Sequence, residues 1–299
     1  MKLIRRVATR DFTENMMPQT RKEIFFDVVK LHWFDLFILA LVLLVSFLPV
    51  LMMTVINDTY DIQYMAELAE NASSEALQTA QASIISFRNI IAFLSIPCYM
   101  LFAVAVSGAM RLMRQYAWEE VTFFWRDLWT GIKQNWKQTV SIAFVLGLQN
   151  AVGQYLSGMS SLTQDPAMKI ASGIFLGITW ILCFPIGACM LAPISIYSNN
   201  FRQNLKVGFV LFARNPFKTL LVLLGMTCLF WAGLYPNFLV HLIAQALGIL
   251  LLPTVLLVWF LFEMEQLDKH INPLYFPELI RRGMYQNNEK PLEKEDLCE

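Results

Sequence analysis

The apolar residues of this chain fall into six long runs, and none shows the amphipathic period typical of soluble proteins. A hydrocarbon core about 30 Å thick needs about 20 helical residues to cross it. The fifth run is the shortest and lies near the lower limit. The pattern predicts an all-α, polytopic membrane protein with six transmembrane helices. They cover residues 33–56, 90–110, 139–159, 170–197, 219–235 and 238–262.

The basic residues lie on alternate loops, which predicts the orientation. All but two of the 23 Lys and Arg residues lie before the first run, between the second and third, between the fourth and fifth, or after the sixth. The opposite loops contain only Arg88 and Lys169, beside several carboxylates. Because cytosolic loops carry the excess of Lys and Arg, we expect both termini to be cytosolic. The formal net charge of +0 hides this separation.

Three regions follow from these patterns. We predict a cytosolic N-terminal segment at residues 1–32, a six-helix transmembrane domain at 33–262 and a cytosolic C-terminal tail at 263–299. The first run is too long for a removable signal peptide and has no small-residue cleavage site after it, so we expect it to stay as a helix. The five cysteines have no metal or redox spacing.

The loop at residues 58–88 predicts a helical excursion on the external side. It is rich in Ala, Glu and Gln and contains neither Pro nor Gly, a composition that favours helix. We expect this helix to continue the first two spans or to pack upon them. Its acidic surface is either solvated or a docking surface for an external partner.

A stripe of tryptophans predicts an interfacial helix at residues 117–137, on the cytosolic side. The indole ring prefers the headgroup boundary, so a face of aromatic residues opposed by charged ones is typical of a helix lying in the membrane surface. The alternative is a groove for a cytosolic partner. The interfacial anchors of this prediction are Trp118, Trp125, Trp129 and Trp136.

A weak internal repeat links this element to a later one. Residues 135–139 and residues 215–219 both run from Asn through an aromatic residue and Lys to Thr. Each follows a basic stretch and opens a span. The shared order predicts two parallel repeats with a turn at each of these sites.

The polar groups within the spans are few. A candidate polar intramembrane face on the third span contains Asn150, Gln154 and Ser157. Such residues either form hydrogen bonds between packed helices or line a solute path. Glu263 lies at the cytosolic end of the last span, where we expect a hydrated carboxylate. With no ionisable group deep in the spans and no catalytic or metal-binding cluster, we expect no enzymatic activity, no cofactor and no metal.

Several motifs resemble those of a known family. They are SFLPV at residues 46–50, SGAMR at 107–111 leading to WEE at 118–120, and FWRD at 124–127 followed by GIKQNWKQ at 131–138. Over about residues 25–262 the chain resembles the YesL-like family of bacterial integral membrane proteins of unknown function. Members are often encoded near carbohydrate uptake systems, so the resemblance implies a bacterial plasma membrane and a place beside sugar import. The inserted segment at 58–88 departs from the family, which supplies no catalytic residues.

Two functions remain open. The favoured one is an accessory or assembly factor that works through contacts with the lipid bilayer and with a membrane-protein partner such as a sugar permease. The alternative is a facilitator or transporter of a small neutral solute that passes along the Asn150 and Gln154 face. We expect no nucleic-acid partner.

The predicted orientation can be tested by labelling in intact cells. A Ser74→Cys variant should react with a membrane-impermeant maleimide, whereas a Thr130→Cys variant should not. The reverse labelling pattern would refute the orientation.

Overall fold

The computed structural model describes residues 18–70, 74–163, 165–228 and 238–284, which are mostly helical and include no strand. The all-α class is therefore confirmed. A π-helix, Thr179–Cys183, joins α5 to α6, and a 3-10 helix, Pro277–Leu279, follows α11. The α-helices are α1 Arg21–Leu31, α2 Trp33–Glu70, α3 Ser74–Ala117, α4 Phe124–Thr163, α5 Pro166–Ile178, α6 Phe184–Ala188, α7 Leu191–Ile196, α8 Phe201–Arg214, α9 Pro216–Met226, α10 Phe238–His270 and α11 Asn272–Tyr275.

Four to five stretches of the described chain are long and apolar enough to cross a membrane. Four are single stretches: Trp33–Asp61, Gln78–Ala117, Pro166–Ile196 and Leu242–His270. The fifth is α8 together with α9, a pair bent by 99°. These stretches cover most of the first, second, fourth and sixth predicted runs and part of the fifth, whose residues 229–235 lie outside the described residues.

The third predicted run is helical but is not among these stretches. It lies inside α4, which extends from Phe124 to Thr163. Three side-chain amides, those of Gln149, Asn150 and Gln154, interrupt its apolar sequence and lower its hydropathy. The prediction of six spans is therefore confirmed only as far as four or five.

The segment at residues 58–88 extends the two helices that flank it. α2 continues to Glu70 and α3 begins at Ser74, so the described residues of this segment are helical. Two contacts join the two helices near its base. Tyr60 stacks on Phe87 with ring centroids 3.9 Å apart, and Arg88 Nε donates to Asp61 Oδ2 at 3.0 Å.

The region of the tryptophan stripe differs from the prediction of a separate helix at 117–137. α3 ends at Ala117, and α4 begins at Phe124 and continues without a break through residues 135–139. The predicted repeat is therefore wrong at its first turn. Its second turn is real, because Pro216 has no N–H and cannot continue α8 beyond Asn215.

The main core lies where α1, α2, α3 and α10 meet. Buried side chains from all four helices belong to one hydrophobic cluster. They include Ile24, Leu43, Met113 and Phe260. A second cluster packs α8 and α9 against α10 around Leu211, Leu223, Trp259 and Leu267. α10 is thus shared by both clusters and is the central helix of the described bundle.

The first helix is capped at its start by neighbouring residues. Thr20 Oγ1 accepts a hydrogen bond from the Glu23 N–H at 3.3 Å, and the Glu23 carboxylate accepts one from the Gln19 N–H at 2.7 Å. The bond from the Gln19 backbone lowers the pKa of Glu23. These contacts explain why α1 begins at Arg21.

The cytosolic segments predicted at the two ends of the chain pack together. Arg21 at the start of α1 pairs with Asp268 of α10 at 2.6 Å, and its Nη1 donates to the Arg282 carbonyl at 2.8 Å. α10 continues to His270, beyond residue 262. The helical bundle therefore includes parts of the N-terminal segment and of the tail.

α3 and α4 form the most extensive contact between elements of the described chain. Their backbones approach closely at Gly108 and Gly131. A Cβ on Gly108 would lie 2.8 Å from the Leu128 carbonyl oxygen, and one on Gly131 would lie 3.1 Å from the Gly108 Cα. Only residues without a side chain permit this crossing.

This crossing can be tested with a pair of glycine substitutions. Gly108→Ala should lower the free energy of unfolding by about 1–3 kcal/mol, because the new methyl group meets a backbone carbonyl that cannot move aside. Thermal melting of the purified protein in detergent measures the effect. Gly173→Ala is the matched control, because nothing lies within 4 Å of its Cβ position. Equal melting temperatures for the two variants would show that α3 and α4 do not cross at Gly108.

Candidate functional site

A cavity of about 280 Å³ lies between α2, α3 and α4. We name it the α2–α3–α4 cavity. Each helix supplies residues at helical spacing, so one face of each lines the space. Its polar lining consists of Thr54, Asn57 and Asp58 from α2, Arg88, Ser95 and Tyr99 from α3, and Asn150 and Gln154 from α4.

Close contacts between α3 and α4 hold the cavity face of α4 in place. Gly147 and Gly158 lie on the same face as Asn150 and Gln154, one before and one after them. A Cβ on Gly147 would lie 3.5 Å from Ile96, and one on Gly158 would lie 2.6 Å from Ile85. The two amides therefore lie on a part of α4 whose position is set on both sides.

The amides of Asn150 and Gln154 make no hydrogen bond with any described residue. The hydroxyl groups of Thr54 and Ser95, in contrast, donate hydrogen bonds to backbone carbonyls of their own helices. Thr54 donates to the Val50 carbonyl at 3.2 Å and Ser95 to the Ile91 carbonyl at 2.8 Å. Each free amide offers one acceptor and two donors. The α4 side of the cavity is thus able to bind a polar molecule from several directions.

The charged groups that line the cavity have partners. Arg88 forms an ion pair with Asp61, and Asp58 accepts a hydrogen bond from the Asn57 amide at 3.3 Å. The Arg88–Asp61 pair is neutral overall, whereas the neutral amide of Asn57 leaves the charge of Asp58 in place. The α4 side of the cavity presents the neutral amides of Asn150 and Gln154, which suit a neutral polar molecule.

The predicted polar face is shorter in the structure than in the sequence. Asn150, which is half-buried, and Gln154, which is exposed, both line the cavity. Ser157 is exposed and is not part of the lining. Residues of α2 and α3, which the sequence did not assign to this face, complete it. The sequence pattern that could have identified them is a set of polar residues four or seven positions apart on one helix, such as Arg88 and Ser95.

Three of the four predicted interfacial anchors form an exposed stripe on α4. The side chains of Trp125 and Trp129 are 64% and 58% exposed, and Trp136 is also exposed. The amines of Lys133 and Lys137 lie 6.0 Å from the rings of Trp129 and Trp136. Cations and indole rings thus share one side of the helix, as expected where headgroups meet hydrocarbon.

Trp118 has a different environment and is not part of the exposed stripe. It lies in the turn between α3 and α4 and packs against the main core. The Arg282 guanidinium lies 4.2 Å from its ring centroid and that of Arg114 lies at 5.2 Å. Trp118 therefore joins the C-terminal segment to α3.

A buried carboxyl group, which sequence reasoning placed in water, lies on α10. Glu263 is 1% exposed, and its Oε2 accepts a hydrogen bond from the Ala192 N–H at 2.9 Å. Its Oε1 has no hydrogen-bond partner. The expectation that Glu263 is hydrated is wrong, because α7 packs over it. The sequence signal for this contact is Pro193, which opens the backbone of the facing helix.

Among the described residues, no three His, Cys, Asp or Glu side chains come together in a way that could hold a metal ion.

Comparison of the chain with protein-family models, with curated proteins and with solved structures gives no match. The resemblance to the YesL-like family stays a prediction.

The aromatic stripe yields a testable prediction. Replacing Trp125 and Trp129 together by Glu should lower the amount of protein in the membrane and its melting temperature, because two charges replace apolar rings at the headgroup boundary. Immunoblots of membrane fractions and melting in detergent measure these effects. The variant with Phe at both positions keeps the apolar area and should resemble the natural protein. Normal levels and melting of the Glu variant would show that this face points into water.

Proposed function

We propose that the chain is a multi-pass protein of a bacterial plasma membrane with six crossings. α4 supplies the third crossing, and α9 with the residues after it supplies the fifth. The distribution of Lys and Arg supports cytosolic termini and an external position for residues 58–88. In this arrangement the α2–α3–α4 cavity lies near the external side, because Asp58 and Arg88 adjoin the external segment.

We propose further that this cavity binds a small neutral polar solute and passes it across the membrane. The observation that carries this proposal is the pair of free amides, Asn150 and Gln154, on the cavity wall. A polar group at membrane level that lacks a protein partner costs free energy unless water or a solute pairs with it. A small polyol or sugar has hydroxyl groups that donate to and accept from such amides.

The structure changes the balance between the two functions that the sequence left open. The accessory function was favoured because the spans contained no buried ionisable group and many interfacial aromatic residues. Glu263 is such a buried group. Asn150 and Gln154, in turn, form no hydrogen bond that would make them a bridge between the described helices. The burial of Glu263 removes one reason for favouring the accessory function, and the free amides favour solute passage.

An accessory or assembly role is the second candidate. The exposed aromatic stripe of α4 supports it, since Trp125 and Trp129 present apolar area that either lipid or a partner such as a sugar permease can cover.

Uptake into proteoliposomes tests the first proposal. The purified full-length chain is reconstituted, and radiolabelled glycerol, xylose and glucose serve as neutral probes. We expect saturable uptake of at least one probe. Changing both Asn150 and Gln154 to Leu should lower uptake by roughly tenfold or more, because two hydrogen bonds of about 1 kcal/mol each are lost.

The matched control is Gln149→Leu, the same kind of change on the same helix. Gln149 does not line the cavity, and its amide contacts the Cys183 sulfur at 3.2 Å. This variant should retain saturable uptake. Absence of uptake for every probe, or uptake unaffected by the double substitution, would contradict solute passage and favour the accessory role.

A further inference from the structure

The backbone hydrogen bonding of the helical segment that faces α10 is interrupted between α6 and α7. In an unbroken helix the Ala192 N–H would donate to the Ala188 carbonyl. Here both groups bind side chains of α10 instead. Glu263 accepts from the Ala192 N–H at 2.9 Å, and Trp259 Nε1 donates to the Ala188 carbonyl at 3.0 Å.

The opening has a cause in the sequence. Pro193 lacks an N–H, and its ring crowds the carbonyl of the residue four positions earlier, Cys189. Trp259 and Glu263 are four residues apart, so both lie on the face of α10 that meets the opening. The Trp259 N–H and the Glu263 carboxylate, on adjacent turns of α10, thus replace the missing hydrogen bond between the Ala192 N–H and the Ala188 carbonyl.

The carboxyl group of Glu263 is only half satisfied. Its Oε1 has no hydrogen-bond partner, and no Lys, Arg or His of the described residues forms an ion pair with it. The titratable group in electrostatic contact with it is the buried thiol of Cys189. On α3, Arg114 directs its Nη1 to the Ser195 carbonyl at 2.6 Å, near the other end of α7.

We propose that Glu263 is a proton-binding site whose occupancy controls how tightly α7 is held against α10. When the group is ionised, Oε2 accepts the Ala192 N–H and its negative charge faces the amino end of α7. A proton taken from water binds the carboxylate, removes that charge and weakens the acceptor, and its release to water restores both. The site lies apart from the α2–α3–α4 cavity and does not depend on solute binding there.

Infrared difference spectroscopy tests this proposal directly. The full-length protein is placed in lipid nanodiscs and exposed to steps of pH over the range in which it stays folded. We expect a carbonyl stretching band of a protonated carboxyl group that titrates with pH and shifts in D₂O. Glu263→Gln should remove this band. Glu265→Gln changes a half-buried carboxylate two residues away on the same helix, which pairs with Lys218 and Lys269, and should leave the band unchanged.

Two results would overturn the proposal. One is the absence of a Glu263-dependent band at every pH, which would mean that the group never binds a proton. The other is a band that does not titrate, which would mean a permanent structural proton. Exchange of Na⁺ for choline at constant pH should not alter the band. A band lost in Na⁺ would identify a metal cation as the ligand and would also overturn the proposal.

Hydrogen exchange supplies the structural readout. The protection factors of the backbone amides of Leu191–Ile196, which are corrected for the intrinsic pH dependence of exchange, should fall when Glu263 takes up a proton. In Glu263→Gln they should be low at every pH. Should this variant fail to fold, Trp259→Phe replaces it, because it frees the Ala188 carbonyl but keeps the carboxyl group. Its infrared band should still titrate, and loss of titration would contradict the proposal. The Asn150 and Gln154 double variant should keep the band, which separates this test from that of solute uptake.

Discussion

The need to pair every backbone N–H and C=O away from water governs the architecture of this bundle. A long continuous helix pairs these groups with one another, which is why α2, α3, α4 and α10 each exceed 30 residues. Where Pro193 interrupts the helical segment that faces α10, two side chains of α10 pair with the free backbone N–H and C=O groups instead. Trp259 and Glu263 are therefore part of the backbone hydrogen bonding of another helix, and this role explains why both are buried.

Close approach is the second determinant. Gly108 and Gly131 bring the backbones of α3 and α4 together at one end, and toward the other end Gly147 and Gly158 leave room for the side chains of Ile96 and Ile85 of α3. Small residues at helical spacing thus fix the relative positions of these two helices. The polar residues that share their face are carried to one wall of the α2–α3–α4 cavity, where no described side chain pairs with the amides of Asn150 and Gln154.

Much of this could be predicted from the sequence, and the remainder could not for physical reasons. Apolar runs predict long helices, and the spacing of Asn150 and Gln154 predicts a shared face. The start of α4 was mispredicted because the sequence at Asn135 and Trp136 resembles the turn at residues 215–219. Unlike that turn, residues 135–139 include no proline to end a helix. The burial of Glu263 depends on Ala192, 71 residues away in the chain. Periodicity within one helix does not report which helix will cover it.

The contacts of Arg21 have a consequence for the order of assembly. Its partners Asp268 and Arg282 lie 247 and 261 residues further along the chain. A ribosome releases them only after the helices between them and α1 have been made. Until then α1 has no anchor at its start, and Ile24 and Val28 lack the surface of α10 on which they are finally buried. α1 is thus synthesised long before the residues that hold its start in place, and it is locked only after α10 has been made.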